Sequence, residues 1–242
     1  MALRIESAGL TDTGHQRTQN EDAILLDPQF GYWAVCDGMG GHAAGMVASQ
    51  LAVATMQEVM RGRPGSEPEP LITAILAANT AVYTRSMNDP QCRGMGTTVV
   101  AARQEDDLLH LCHVGDSRIY MMRGGELTQS TRDHSLANLY EDRPDLAGKM
   151  GPAHSNVIVR AVGLHERVEV DHRIIALEPG DQFMLCCDGM TDMVEDWIIR
   201  EMLGAGETSD VTCQNLIRAA NANGGADNIS VILLRVHETP GP

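Results

Sequence analysis

The sequence predicts a layered α+β fold, in which runs of strands alternate with helix pairs. Short apolar runs of strand length, among them Tyr32–Val35, Leu108–His113 and Phe183–Cys186, stop at turns built on Gly and Asp. Two longer stretches, His42 to about Arg61 and Leu71 to about Met87, contain no proline and space their apolar residues at helical intervals. A second helix pair follows late in the chain, again bracketed by strand-like runs. A length of 242 residues fits one domain.

Taken in order, Ala23–Leu26 and Tyr32–Val35 read as early strands. The helix from His42 carries Met46, Val53, Met56, Val59 and Met60 near helical spacing. Residues 61–70, rich in Gly and Pro, end it in an exposed loop. In the next helix Ile72, Ile75, Leu76, Val82 and Tyr83 form the expected inner face. Gly96–Arg103, Leu108–His113 and Arg118–Met122 read as a strand meander, and Gly124-Gly125 makes a hairpin turn before Glu126–Gln129. The segment from about His134 to Ser155 is irregular, charged and broken by Gly and Pro. That composition suits a mobile loop that meets a ligand, or a passive surface loop. Val168–Leu177, Gln182–Cys187 and Ile229–Val236 are further strands. Helices are expected over about Asp192–Leu203, opened by a capping box of Asp192 and Glu195, and over Ser209–Ala222. The tail from Glu238 is expected to fray.

Composition narrows the function. The chain is 43% hydrophobic but only 3% aromatic, so its 14 Met and many aliphatic residues must fill the core. The net charge is −15 with no Lys/Arg cluster, which excludes nucleic-acid binding. No apolar stretch is long enough to insert into a membrane, and Met1–Leu10 lacks the apolar core of a secretory signal. None of the six cysteines forms a Cys-x-x-Cys pair. The reading is a reduced, cytoplasmic protein, expected to be a monomer. His15, His110, His154, His165, His172 and His237 show no ligand spacing and read as surface or structural residues.

The chemistry is concentrated in acidic strand ends. Cys-Asp-Gly-Met occurs twice, at Cys36–Met39 and Cys187–Met190, each time after an apolar run. Two such ends suggest carboxylates converging on one point, where their mutual repulsion calls for a cation. An Asp-Gly pair by itself also marks an ordinary turn. Further aspartates lie at predicted strand edges: Asp22 after Asn20-Glu21, Asp116 in Val114-Gly115-Asp116-Ser117-Arg118, and Asp227 after Gly225-Ala226. With Asp37 and Asp188 they make five, all expected to be ionised at an ordinary pKa of about 3.9. A set of hard oxygen ligands suits Mg²⁺ or Mn²⁺ better than zinc.

At this point the chain resembles a known family. Gly9-Leu10-Thr11-Asp12-Thr13-Gly14, Arg17-x-x-Asn20-Glu21-Asp22 and Asp37-Gly38-Met39-Gly40-Gly41-His42 come first. Gly96-Thr97-Thr98, His113-Val114-Gly115-Asp116-Ser117-Arg118, Asp133-His134, Asp188-Gly189-Met190-Thr191-Asp192 and Gly225-x-Asp227-Asn228 follow. Together and in this order they resemble the metal-dependent Ser/Thr protein phosphatases of type 2C, in their compact bacterial form.

The resemblance sharpens the fold to a four-layer αββα sandwich of two central antiparallel sheets flanked by helix pairs. It implies one catalytic domain over residues 1–242, with a flap subdomain at about 134–155. It implies two or three divalent cations, Mn²⁺ or Mg²⁺. Asp37 would bridge two of them and the Gly38 carbonyl would reach one. Asp188 and Asp227 would hold the first, Asp22 and Glu21 the second, and Asp116 a third, looser one. Arg17 matches the phosphate-binding arginine. A hydroxide bridging two cations would attack phosphorus without a covalent phosphoenzyme. Many eukaryotic members carry a general-acid histidine directly after Asp-Gly; here Met39 stands there, and His42 is the nearest candidate.

The implied activity is hydrolysis of phosphoserine and phosphothreonine in proteins. The implied partners are phosphorylated proteins and a membrane Ser/Thr kinase whose action the enzyme opposes, as in bacterial systems that include type VI secretion. A same-fold phosphatase of anti-sigma-factor antagonists is the nearest alternative, and such relatives generally lack the arginine at the Arg17 position. A catalytically silent phosphoprotein-binding module would have lost metal aspartates, and none is missing here.

Overall fold

Alternation along the strands decides the layering. In β3 (Tyr32–Cys36) Trp33 and Val35 join one apolar cluster, while Tyr32, Ala34 and Cys36 join another. Successive strand side chains point to opposite faces, so a strand buried on both must lie inside a stack. β11 (Gln182–Cys186) and β12 (Ile229–Glu238) behave alike. Phe183, Leu185, Ile232, Leu234 and Val236 meet Trp33 and Val35, while Met184, Cys186, Val231 and Leu233 face the other way.

The computed structural model describes residues 3–41, 44–61, 70–143 and 157–239. One sheet has the order β1-β12-β11-β8-β9, with β1 at Leu3–Asp12, β8 at Arg118–Arg123 and β9 at Glu126–Gln129. The other has the order β10-β7-β6-β3-β2, with β2 at Ala23–Asp27, β6 at Val99–Glu105, β7 at Leu108–Val114 and β10 at Asp171–Ala176. All pairings in both sheets are antiparallel. Two-residue strands β4 (Gly38–Met39) and β5 (Gly96–Thr97) pair beside them. α1 (Ala44–Arg61) and α2 (Pro70–Asn88) pack on the second sheet through Ala48, Ala52, Met56, Ala74, Ile75 and Ala78. After the short helices α3 (Leu136–Asp142) and α4 (Asp188–Thr191), α5 (Asp196–Gly204) and α6 (Ser209–Ala222) cover the first sheet. The result is the expected four-layer αββα sandwich. No helix among the described residues is long and apolar enough to cross a membrane.

Several local expectations need correction. Gly96–Arg103 is two strands, because Thr98 leaves the ladder to bond Asp37. The first of the late strands begins at Asp171 rather than Val168. The capping box of Asp192 and Glu195 does not form: Glu195 is the N-cap of α5 without a side-chain bond, and Asp192 ends α4. The inner faces of α1 and α2 are lined mainly by small residues. Leu76 is 42% exposed, and Met46, Val53 and Val59 are only half-buried. Close approach of two helices and a sheet favours Ala and Ser at the contact, among which the expected Met56, Met60, Ile75 and Val82 are buried. The segment expected to be irregular from His134 contains α3, capped by Ser135 Oγ accepting the Asn138 N–H at 3.5 Å. The rest of that segment, 144–156, and the loop at 62–69 lie outside the described residues, as does His42.

Candidate active site

The register of each strand pair delivers its acidic residue to the same end of the sandwich. Ala23 pairs with Cys36, so Asp22 and Asp37 flank each other just beyond the ladder. Cys186 pairs with both Arg118 and Val231, which places Asp188 beside the turn holding Asp116 and beside the start of β12. Asp12 pairs with Ile229, so Asp227 emerges next to the 13–22 loop. Asn228 staples that loop. Its Nδ2 donates to the Thr13 and Gln19 carbonyls, both at 2.9 Å, and its Oδ1 accepts the Glu21 N–H at 2.8 Å.

Asp37 is fixed through its backbone. Its N–H donates to Thr98 Oγ1 at 3.0 Å, and its carbonyl accepts from Thr98 N and Thr97 Oγ1, both at 2.8 Å. Its carboxyl shares a hydrogen bond with that of Asp188. At Gly38 the chain crosses two others: a Cβ there would lie 2.2 Å from the Gly45 carbonyl oxygen and 2.5 Å from that of Glu21. Only glycine permits this crossing, which holds Glu21, Gly38 and the first turn of α1 together. The Glu21 carbonyl also accepts from Ser49 Oγ at 2.5 Å.

The carboxylates are under-satisfied. Asp22 Oδ2 accepts from Ser230 Oγ at 2.6 Å, but its Oδ1 is buried without a partner, and so are Asp116 Oδ1 and Asp188 Oδ1. Burial, followed by the negative charge of Asp22 and Asp188, pushes Asp37 well above the ordinary carboxylate range. Burial likewise pushes Asp22 up to about 7, and Asp116 up to about 7 with help from Asp188. Asp188 is also raised by burial. The expectation that these groups are simply ionised is therefore corrected: without a cation, low polarity and like charge keep protons on them. Orphaned acceptors and raised carboxyls are what a site for hard divalent cations looks like when its oxygens are gathered. The donor set fits.

The site also has members whose role was not legible. Cys187 Sγ lies within ligand range of Asp22 and Asp37. It accepts the Ser230 N–H at 3.1 Å, and burial holds its thiol far above the usual range, so it packs beneath the carboxylates as a neutral group. A cavity of about 290 Å³ opens beside Asp116 and Asp188 and is also lined by Arg118, Asp133 and Asp192. Arg118 forks onto Asp133 at 3.0 and 2.8 Å. Asp133, Asp192 and Arg118 stand in the recurring motifs, but only the fold places them around one cleft. Arg17 sits at the rim, 50% exposed, donating to Asp227 Oδ2 at 2.6 Å.

Fold and site together define a class: a two-sheet αββα domain with a carboxylate centre suited to divalent cations and an arginine at its mouth. The chain belongs to the protein phosphatase 2C family, whose profile matches residues 12–224. It is 36% identical to the serine/threonine protein phosphatase PstP of Mycobacterium tuberculosis over 98% of this chain and 46% of that protein, so it spans about half the length of that relative. It is 33% identical to the serine/threonine phosphatase stp of Listeria monocytogenes over 93% of both chains. Among solved structures, the PstP catalytic domain in complex with two manganese ions superposes with a TM-score of 0.86 at 35% identity, covering 98% of this chain and all of that one. PppA, a regulatory component of the type VI secretion system of Pseudomonas aeruginosa, superposes with a TM-score of 0.84 at 31% identity over 96% and 98% of the two chains.

Proposed function

We propose that the chain is a metal-dependent protein serine/threonine phosphatase acting on phosphoserine and phosphothreonine. The observation that carries this reading is the gathering of Asp22, Asp37, Asp116 and Asp188 at one end of the sandwich, with three carboxylate oxygens buried and unpartnered. Asp37, with the Gly38 carbonyl, would serve two cations; Asp188 and Asp227 would complete one site, and Asp22 and Glu21 the other. Asp116 would hold a third, weaker cation. Bound divalent cations polarise phosphoryl oxygens and lower the pKa of water, which is the chemistry such a reaction needs.

The chain's own residues do the rest. Arg17 offers a guanidinium fork for the phosphate oxygens. Its exposed pairing with Asp227 is worth only about 0–1 kcal/mol, so it can turn to an incoming phosphate at small cost. His42 is the residue proposed to protonate the departing serine or threonine oxygen. The 134–155 segment is proposed as a flap that meets the substrate protein. A bacterial Ser/Thr kinase is proposed as the opposing enzyme, with the phosphatase acting as a cytoplasmic monomer. The filled metal positions and Arg17 argue against a silent binding module and against the anti-sigma-factor branch.

The test is hydrolysis of p-nitrophenyl phosphate and of a phosphothreonine peptide by metal-free protein, with and without added Mn²⁺. Turnover should appear only with the metal and vanish in EDTA. Undiminished turnover in chelator overturns the reading.

A further inference from the structure

His113, His134 and Asp171 come close enough to share an ion, yet their hydrogen bonds assign them otherwise. His134 Nδ1 accepts the Gly115 N–H at 3.0 Å, so Nε2 carries the ring proton and has no lone pair to offer a metal. Arg160 donates from Nη1 to Asp171 Oδ1 at 2.5 Å, and that Nη1 stands 3.0 Å from Nε2 as a second donor rather than as its hydrogen-bond partner. Nε2 itself lies 3.4 Å from the same carboxylate oxygen. Both N–H groups thus converge on one anion. His113 stacks on the His134 ring with centroids 4.6 Å apart and donates from Nε2 to the Arg132 carbonyl at 2.9 Å.

What this cluster holds is backbone. His134 grips Gly115 twice, its Nδ1 accepting the Gly115 N–H and its own N–H donating to the Gly115 carbonyl at 2.9 Å. Gly115 has φ 108°, and a Cβ on it would sit 2.7 Å from the Thr98 side chain. The turn is therefore cramped on one side by Thr98, which also bonds Ser117 Oγ at 2.7 Å, and held on the other by His134. Between Gly115 and Ser117 stands Asp116, with its buried, unpartnered Oδ1 beside the cavity it shares with Asp188.

We propose that His134 is a positioning residue: by accepting the Gly115 N–H through Nδ1, with its Nε2–H turned to the Asp171 carboxylate, it fixes the turn that aims Asp116 at a divalent cation. This rests on the reading of Asp116 as a cation ligand given above. It makes the base of the 134–155 segment and the Asp116 turn one mechanical unit, since both Gly115 contacts come from the first residue of that segment.

Two variants separate the hydrogen bond from the bulk of the ring. His134→Leu keeps volume and removes the acceptor, whereas the side-chain oxygen of His134→Asn falls near the position of Nδ1 and restores it. The readout is a calorimetric Mn²⁺ titration of metal-free protein, with Asp116→Ala as reference. His134→Leu should weaken the weakest Mn²⁺ site by about tenfold or more while the tighter sites hold, and His134→Asn should recover to within about threefold of wild type, the scale expected when support of a metal ligand is lost and regained. In ¹⁵N-labelled wild-type protein a scalar coupling should run from the Gly115 amide nitrogen to His134 Nδ1. That measurement decides the matter even if the Leu variant does not fold. A missing coupling, a weak site indifferent to His134→Leu or to Asp116→Ala, or a His134→Asn protein as impaired as His134→Leu would each overturn the proposal. A wild-type protein that hydrolyses no phosphopeptide yet shows the His134-dependent loss of Mn²⁺ would overturn the phosphatase reading alone.

Discussion

Asp37 is held by its backbone and left with a carboxyl whose charge is opposed by burial and by Asp22 and Asp188. A group so placed needs cations to ionise, and Asp37→Asn removes the residue proposed to serve two of them. Its turnover should fall by more than the about 10–100-fold typical when a residue merely supporting a ligand is lost, and near-wild-type steady-state rates would move the bridge elsewhere. Arg17 is different, since its partner Asp227 lies at the half-exposed rim. Arg17→Ala should raise KM for a phosphopeptide by about tenfold or more, the value of a charged hydrogen bond, with kcat little changed. A loss confined to kcat would place the contact in the transition state alone. For His42, which lies outside the described residues, the leaving group supplies the test. An alkoxide needs a proton and p-nitrophenolate does not, so His42→Ala should lose about 10²–10⁴-fold on phosphopeptides and little on the nitrophenyl ester. Equal losses on both substrates would give His42 a structural role.

At the scale of elements, the centre depends on strands that stop in the right register and on one close crossing. Ala23 opposite Cys36 and Cys186 opposite Arg118 fix where Asp22, Asp37, Asp116 and Asp188 emerge. A one-residue slip would turn each side chain to the other face, and the buried clusters on both faces forbid it. Leu185, fully buried between the sheets, enforces that register; Leu76 on α2 does not, at 42% exposure. Leu185→Ala should cost about 2–5 kcal/mol in urea unfolding, and Leu76→Ala should stay within about 0.5 kcal/mol. Comparable losses would contradict the layer assignment.

The whole molecule stores its acidity where it is least comfortable. With a net charge of −15 the chain has acid to spare on its surface, but Asp22 and Asp116 are drawn inside and raised from 3.8 to about 7. The sign follows from linkage. Between about pH 4 and 7 these carboxyls bind more protons in the folded metal-free protein than in the unfolded chain, so the stability they contribute falls as pH rises through that window, while His110, His113 and His134, lowered by burial, contribute with the opposite sign. Metal-free protein should therefore melt at a lower temperature at pH 8 than at pH 5.5. Added Mn²⁺ should raise the melting temperature far more at pH 8, because cations replace protons that the cluster has by then released. Scanning calorimetry at both pH values, with and without Mn²⁺, checks this. A metal-free protein more stable at pH 8 would mean that the raised carboxyls do not outweigh the lowered histidines.

The sequence alone determined the strands, because runs such as Tyr32–Cys36 and Phe183–Cys186 are too apolar and too short for anything but buried strands. It also determined the acidic ends, because Asp-Gly after such a run is local turn chemistry. The ordered motifs determined the family. Tertiary structure decided what local chemistry cannot encode. That α1 and α2 pack through alanines interleaved with Met56 and Ile75 while Leu76 is 42% exposed depends on how near the sheet lies. That Thr98 abandons its strand depends on Asp37, a partner far along the chain. The carboxylates looked ionised in sequence because each was read alone. Gathered in one low-polarity cleft they repel, and their charge became a property of the cluster. His134 read as half of a short motif; its grip on Gly115, 19 residues away, exists only once β7 and β8 bring that turn against the base of α3.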